Sequence, residues 1–298
     1  MEMQIRGALM GWVEDISKAI NYIENNLEGQ LSIDNIAERA RLSPFYFQKG
    51  FTMLCGFTVS EYIRKRRLTL AGSELVATEN KVIDIALKYG YDSPDSFTKA
   101  FTRFHGLTPT AVRKGGAMLK SFAPLKLKFS LEGGYIMDYK IVEKEAFTIM
   151  GVSKVFKYDN AFAEIPQFWA EHYQTGGGAL ICGMYGVCID KSIEGGMPTD
   201  EFEYLIADNY NPMQDVPQGV TTKIIPKNTW AVFPCKGALP EAIQAVNRKI
   251  FTEWLPNCCD YEIAAGYNIE LYTNAVEYPQ GIKDKSYYSE IWVPIKKK

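Results

Sequence analysis

The chain has 298 residues, of which 47% are hydrophobic and 23% charged, and a formal net charge of −2. Two or three domains, each able to bury a core, fit this length and composition. A secretory leader and an apolar run long enough to span a bilayer are both missing, so we expect a soluble, cytoplasmic protein that does not contact a membrane. Six cysteines form no CxxC pair and only two histidines accompany them. We therefore expect no zinc or other metal and no cofactor.

One pattern occurs twice between residues 31 and 114. In each copy a short amphipathic helix start is followed by a turn and a Ser-Pro pair. Such a pair opens a second helix, because serine caps it and proline suits its first position. This repetition predicts two helix-turn-helix motifs, and hence a DNA-binding protein with two recognition helices. The second copy follows at an offset of fifty residues and matches Ser43 with Ser93, Phe47 with Phe97, Phe51 with Phe101, Gly56 with Gly106, and Thr58 with Thr108.

Two further helices are predicted, one before the first motif and one between the two motifs. Apolar spacing over residues 10–27 predicts an amphipathic scaffold helix. A second helix over residues 60–78 joins the motifs and spans about 28 Å at 1.5 Å per residue. This length can hold two recognition helices in successive major grooves, about 34 Å apart. Seven basic residues and one acidic residue lie within residues 39–73, so we expect Arg66 and Arg67 to contact phosphate.

Side chains outside the apolar stripes are the candidates for DNA contact. On the first recognition helix Phe47, Phe51 and Leu54 are expected to pack inward, as are their counterparts on the second. Polar side chains on the outer faces can reach base edges or phosphate, and an aromatic ring can touch a thymine methyl group. The alternative is an ordinary solvated surface. The candidates are Phe45, Tyr46, Gln48 and Lys49 on the first helix, and Asp95, Ser96, Thr98, Lys99 and Arg103 on the second.

These residues resemble the AraC/XylS family of transcription regulators, in which a long helix joins two helix-turn-helix units. The second unit carries most of the family signature. The first departs from it, because Lys49 stands where arginine is usual and Gly50 adds flexibility. Lysine cannot make the bidentate contact of arginine to guanine, so we expect a less strict reading of the first half-site. The resemblance implies double-stranded DNA as a partner, and RNA polymerase as a further candidate. Among the candidates above, it implies DNA contact by Phe45, Gln48, Lys49, Asp95, Ser96, Thr98 and Lys99.

The second half of the chain has a different pattern. After a linker at residues 117–136, residues 137–298 predict two strand-helix-strand-strand repeats. These form an α+β domain whose sheet is covered by helices on one face. Alternation along the last strand places Tyr288, Glu290 and Trp292 on the other face. A carboxylate between aromatic rings suits a flat or cationic organic molecule. The alternative is an edge strand with a solvated glutamate.

Residues 139–298 also resemble the GyrI-like effector-binding domain of multidrug-sensing regulators, in which a glutamate of the final strand lines the pocket. An AraC-type reader followed by such a domain is the arrangement of Rob-type regulators. The resemblance therefore implies a ligand-responsive regulator that senses a small lipophilic or cationic molecule. Core packing is the alternative for the further candidates. These further lining candidates are Tyr185, Trp230, Trp254, Tyr272 and Glu203.

Two other functions stay open. Some GyrI-like domains are hydrolases of reactive small molecules, and a buried Glu290 beside aromatic residues could act as their general base. The sequence lacks GxSxG, HExxH, a glycine-rich phosphate loop and a Cys–His pair, so we do not expect an enzyme. The second alternative is a constitutive DNA-binding regulator with a degenerate pocket.

Overall fold

The computed structural model describes residues 15–114, 116, 118–126, 137–158, 160–190, 201–213, 215–258 and 260–298. The start of the predicted scaffold helix and residues 127–136 of the predicted linker lie outside these ranges. No helix in the described ranges is long and apolar enough to cross a bilayer.

The first third of the chain is helical. The two predicted helix-turn-helix motifs are confirmed as α2–α3 and α5–α6, with α4 between them. Both recognition helices have 12 residues, a serine N-cap and a proline at the helix start, and both end at a glycine with positive φ, 76° at Gly56 and 83° at Gly106. The bounds are α1 (residues 15–25), α2 (Ile33–Arg39), α3 (Pro44–Cys55), α4 (Val59–Ala77), α5 (Val82–Lys88), α6 (Pro94–His105) and α7 (Pro109–Arg113).

Helix α4 belongs to two hydrophobic cores. Its first turns pack with α1, α2 and α3 through Val59 and Tyr62, and its later turns pack with α5 and α6 through Leu68 and Leu75. The prediction that Leu54 packs inward is wrong, since this side chain is 37% exposed. With 3.6 residues per turn, the stripe of Phe47 and Phe51 continues at residue 55.

A mixed region of strands and helices follows. The described residues contain nine strands in one antiparallel sheet, ordered β1-β6-β9-β8-β3-β4-β2-β5, with β7 pairing to β9. The bounds are β1 (Lys140–Lys144), β2 (Phe147–Lys157), α8 (Ala161–Gln174), β3 (Tyr185–Asp190), β4 (Glu201–Asn209), β5 (Thr221–Ile225), β6 (Asn228–Lys236), α9 (Glu241–Lys249), a π-helical turn (Ile250–Trp254), a short α10 (Leu255–Asn257), β7 (Tyr261–Ile263), β8 (Tyr267–Tyr272) and β9 (Tyr288–Lys297), besides three 3-10 turns (Gly177–Ala179, Ala275–Glu277 and Gly281–Lys283).

The two predicted repeats are present as β2-α8-β3-β4 and β6-α9-β8-β9, while β1, β5 and β7 are additional strands. The helices cover one face of the sheet, where Ile291, Val293 and Ile295 pack as expected. The opposite face carries an aromatic cluster, in which Trp230 and Trp292 are 0% and 7% exposed.

Candidate DNA-binding surface and effector cavity

The second recognition helix, α6, presents a polar surface. Phe97 and Phe101 anchor it in the core beneath. Of the predicted DNA contacts on this helix, Thr98 is half-buried and the others are exposed. The Ser93 hydroxyl accepts the N–H of Ser96 and so caps the helix. The exposure of this surface is compatible with entry into a major groove, and contact of these residues with DNA stays a prediction. The exposed candidates are Asp95, Ser96, Lys99 and Arg103.

The first recognition helix, α3, is covered. Phe45, Tyr46 and Gln48 are 1%, 1% and 4% exposed, and Lys49 is half-buried. The expectation that these four side chains face outward is therefore wrong in this conformation. The physical reason is a second apolar stripe on α3, formed by Phe45, Tyr46 and Met53, which packs into the core of the sheet domain.

Hydrogen bonds between residues in the described ranges fix α3 on the sheet domain. The backbone N–H of Phe45, in the first turn of α3, donates to Asp190 Oδ2 at 3.1 Å. The Tyr46 hydroxyl donates to the carbonyl oxygen of Tyr267 at 2.9 Å. Lys49 Nζ donates to Asn268 Oδ1 at 2.8 Å. The contact therefore combines apolar burial with partners for the polar groups that it takes from water.

Gly50 lets α3 pack closely against the side chain of Phe251. A Cβ atom added to Gly50 would lie 2.9 Å from Cδ1 of Phe251, in the π-helical turn after α9. The same ring lies 6.0 Å from the Tyr46 ring, centroid to centroid. The flexibility that the sequence suggested for Gly50 is not its role here, since the residue lies inside a regular helix. Its missing side chain instead lets α3 approach the sheet domain.

Arg66 and Arg67 have internal partners rather than an open face toward DNA. Arg66 is 7% exposed, and its Nε and Nη2 donate to the two carboxylate oxygens of Glu24 at 2.9 and 2.8 Å. Its Nη1 donates to the carbonyl oxygen of Phe122. Arg67 donates to the carbonyl oxygens of Leu27 and Gly29. In this conformation both guanidinium groups tie α4 to neighbouring segments, and phosphate contact by Arg66 and Arg67 stays a prediction.

A cavity of about 1040 Å³ lies where α3 meets the helix-covered face of the sheet. Apolar and aromatic side chains of α8, α9 and β8 form most of its wall. Helix α3 also contributes to the wall, so the cavity is shared between the DNA-binding domain and the sheet domain. The contribution of α3 consists of Phe45, Lys49 and Thr52.

Glu270 of β8 supplies a carboxylate to this cavity. It is 9% exposed, and its Oε2 accepts hydrogen bonds from the Tyr204 and Tyr272 hydroxyls at 2.9 and 2.8 Å. Trp169 Nε1 in turn donates to the Tyr204 hydroxyl at 2.9 Å. Burial and then the negative charge of Glu270 raise the pKa of both tyrosines, so both hydroxyls stay protonated and can donate. These hydrogen bonds therefore fix the position of the Glu270 carboxylate among aromatic side chains of the cavity wall.

Of the eight side chains predicted to bind ligand, the cavity includes Tyr272 alone. Glu290 lies on the opposite face, because Glu290 pairs with Leu271 and neighbouring residues of a strand point to opposite sides. Tyr185, Trp230 and Trp292 belong to the aromatic cluster of that face. The other predicted residues are also engaged elsewhere. Tyr288 bonds Glu290, Glu203 pairs with Lys223, and Trp254 packs on Phe233.

Glu290 has a structural environment of its own. Its carboxylate accepts hydrogen bonds from Tyr288, Trp292 Nε1 and Lys140 Nζ at 2.7, 2.7 and 3.1 Å. Burial alone would raise the pKa of Glu290, but these three donors outweigh burial and lower it. Glu290 therefore does not line this cavity, and its contact with an effector stays a prediction. A buried carboxylate in the cavity wall is that of Glu270, which the sequence analysis did not single out. The sequence signal for Glu270 is a lone carboxylate on the face of its strand that points toward the helices.

Comparisons with known proteins agree with a helix-turn-helix domain followed by an effector-binding domain. Residues 140–295 match the family model of the integron-associated effector binding protein, and residues 36–115 match a helix-turn-helix domain model. The transcriptional activator AarP of Providencia stuartii is 42% identical over 98 residues, which cover 33% of this chain and 73% of AarP. The right origin-binding protein of Escherichia coli is 32% identical over 151 residues, or 49% of this chain and 50% of that protein.

Among solved structures, SAV2435 bound to tetraphenylphosphonium has a TM-score of 0.44 and 22% sequence identity, and covers 54% of this chain and 94% of its own. The family assignment rests on the sequence matches. The chain therefore belongs to the AraC-type helix-turn-helix transcription regulators and carries an effector-binding domain of the integron-associated, GyrI-like family.

Proposed function

We propose that this regulator senses a lipophilic organic cation in the cavity between its domains, with Glu270 as the counter-charge. The observation that carries the proposal is a buried carboxylate held by two tyrosine hydroxyls inside a large, mainly apolar cavity. DNA binding by the helix-turn-helix units gives the regulator its output.

The chemistry of the cavity favours a cation over a neutral or anionic molecule. The two hydroxyl partners of Glu270 bring no positive charge. The two lysines of the cavity wall, Lys49 and Lys283, donate instead to Asn268 Oδ1 and to the carbonyl oxygen of Leu239. A buried carboxylate gains most from a charged partner, because attraction is stronger away from water. The rings of Trp169 and Tyr272 line the same space, and aromatic faces attract cations. Its volume also suits a drug-sized ligand.

Tetraphenylphosphonium, an aromatic monovalent cation, is the probe for this proposal. Titration into the full-length protein should quench tryptophan fluorescence, since Trp169 lines the cavity. Glu270→Gln keeps the size of the side chain and removes its charge, and should weaken binding about 10- to 100-fold, as loss of a buried charge partner does.

Two controls separate charge from shape. Glu290→Gln makes the same change on the opposite face of the sheet and should bind the probe as the wild type does. Triphenylphosphine oxide, which is neutral, should bind weakly to both the wild type and Glu270→Gln. Equal binding of the cation to wild type and Glu270→Gln would contradict the assignment of Glu270, and a loss confined to Glu290→Gln would move the site to the opposite face.

A further inference from the structure

We propose that the effector-binding domain holds the first recognition helix away from DNA, and that a cation in the cavity releases it. The inference rests on the proposed function for the identity of the ligand. The occlusion itself follows from the contact between α3 and the sheet domain.

The docked position of α3 excludes DNA by simple geometry. A recognition helix must enter a major groove about 12 Å wide and turn its outer face to the base edges. The outer face of α3 lies instead against the sheet domain, where Phe45, Tyr46 and Gln48 are at most 4% exposed. The sheet domain and a duplex cannot occupy this face together. In this conformation only the second reader, α6, is open to DNA.

The Asp190 carboxylate lies at the N-terminus of α3, where a recognition helix commonly binds a DNA phosphate. The N-terminus of a recognition helix attracts anions through its unpaired N–H groups and the helix dipole, and phosphates commonly bind there. In α3 the N–H of Phe45 is already bonded to the Asp190 carboxylate at 3.1 Å, and Asp190 is 5% exposed. The corresponding residues of the second copy, Asp95 and Ser96, are exposed. The effector-binding domain thus places a carboxylate of its own at the N-terminus of the first recognition helix, α3.

The same junction couples the cavity to α3 through charge. Lys49 Nζ bonds Asn268, which lies two residues from Glu270 on the same face of β8. Both Lys49 and Glu270 line the cavity. A ligand cation attracted to Glu270 therefore repels the Lys49 ammonium group, which lies 5.5 Å from the centroid of the Phe45 ring. Since the repulsion exists only while α3 is docked, cation binding favours the released state.

Full-length wild type and Phe251→Ala test the occlusion without ligand. Each protein selects duplexes from a random pool, and each is then footprinted with hydroxyl radicals on the duplex that the variant selects. The wild type should protect one half-site. Phe251→Ala loses packing against α3 but alters no residue of the reader, so it should protect two half-sites about 10 base pairs apart and bind at least about tenfold more tightly.

Two further variants separate loss of the contact with α3 from general unfolding of the effector-binding domain. Asp190→Asn changes only the charge at the N-terminus of α3 and should shift the footprint in the same direction. Phe233→Ala removes another buried phenylalanine of the effector-binding domain, whose ring partners are Tyr139 and Trp254, and should leave the wild-type footprint unchanged. Protection of both half-sites by ligand-free wild type, at the affinity of Phe251→Ala and Asp190→Asn, would overturn the occlusion.

Tetraphenylphosphonium tests the coupling separately. With this probe, the wild type should protect two half-sites, as Phe251→Ala does without it. Glu270→Gln should protect one half-site both with and without the probe. Quenching of tryptophan fluorescence with an unchanged footprint would refute the coupling and leave the proposed effector site standing. Absence of quenching would refute the proposed effector, and the comparison of Phe251→Ala with wild type would still decide whether the first reader is occluded.

Discussion

Replacement of Arg66 by methionine should destabilise the helical domain and leave the salt dependence of DNA binding unchanged. The side chain of Arg66 is 8% exposed and that of its partner Glu24 is 19% exposed. Removing one partner of a buried ion pair costs about 3–5 kcal/mol. Because Glu24 keeps some contact with water and a hydrogen bond from Tyr62, we expect the lower end of this range, about 3 kcal/mol.

Urea unfolding followed by circular dichroism at 222 nm measures the loss of stability in the helical domain. Arg64→Met is the matched control, because Arg64 lies on the same helix and is exposed, and its cost should stay within about 0.5 kcal/mol. A phosphate contact would act differently, since its loss reduces the slope of log K against log salt by about 0.9. A stability change below about 1 kcal/mol, combined with such a reduced slope, would show that Arg66 contacts DNA rather than Glu24.

Two further predictions concern the second reader and the opposite face of the sheet. Lys99→Ala should weaken binding to the selected duplex by about 1–3 kcal/mol if Lys99 reads a base; an unchanged affinity in a shift assay at fixed salt would remove Lys99 from the interface. The folded pKa of Glu290 lies below its ordinary value of 4.5, so this carboxylate contributes stability above that pH and loses it as pH falls through the folded pKa; acid unfolding of Glu290→Gln should therefore depend less on pH below about 4.5, and identical profiles would contradict the assigned hydrogen bonds.

Much of the fold could be predicted because its signals are local. Ser43 and Ser93 cap their helices through a hydrogen bond that spans three residues. The alternation along β9 separates the aliphatic residues from Glu290 and its neighbours, as the pleat of any strand requires. Such patterns need no knowledge of distant partners. Both domains therefore followed from the sequence in their type and order.

The burial of α3 depends on a distant partner and could not be predicted from one helix. A comparison between the two copies does contain a signal. At the offset of fifty residues, Phe45, Tyr46 and Met53 correspond to Asp95, Ser96 and Arg103. The first copy is therefore apolar at positions where the second is polar, which indicates a second buried face. Gly50, opposite Ala100, adds to this signal, because a glycine inside a helix often marks a close approach.

The absence of covering helices on one face of the sheet predicts a pocket on that face, whereas the cavity lies on the face that the helices cover. Strand alternation correctly separates Glu290 from the helices, but it does not say which face retains space. Aromatic rings fill the face of Glu290. The helices on the other face leave a gap beside α3, and Glu270 points into it. Which face keeps a cavity depends on how helices sit on a sheet, and the strand pattern does not encode this.

The shared helix α4 ties the geometry of the protein to that of its DNA. Inserting or deleting one residue between Tyr62 and Leu68 would turn one reader by about 100° relative to the other and shift it by about 1.5 Å. Substitutions leave this helical phase intact, whereas a change of length destroys it. For a duplex bound by both recognition helices, the number of residues in α4 would therefore set the distance between the two half-sites.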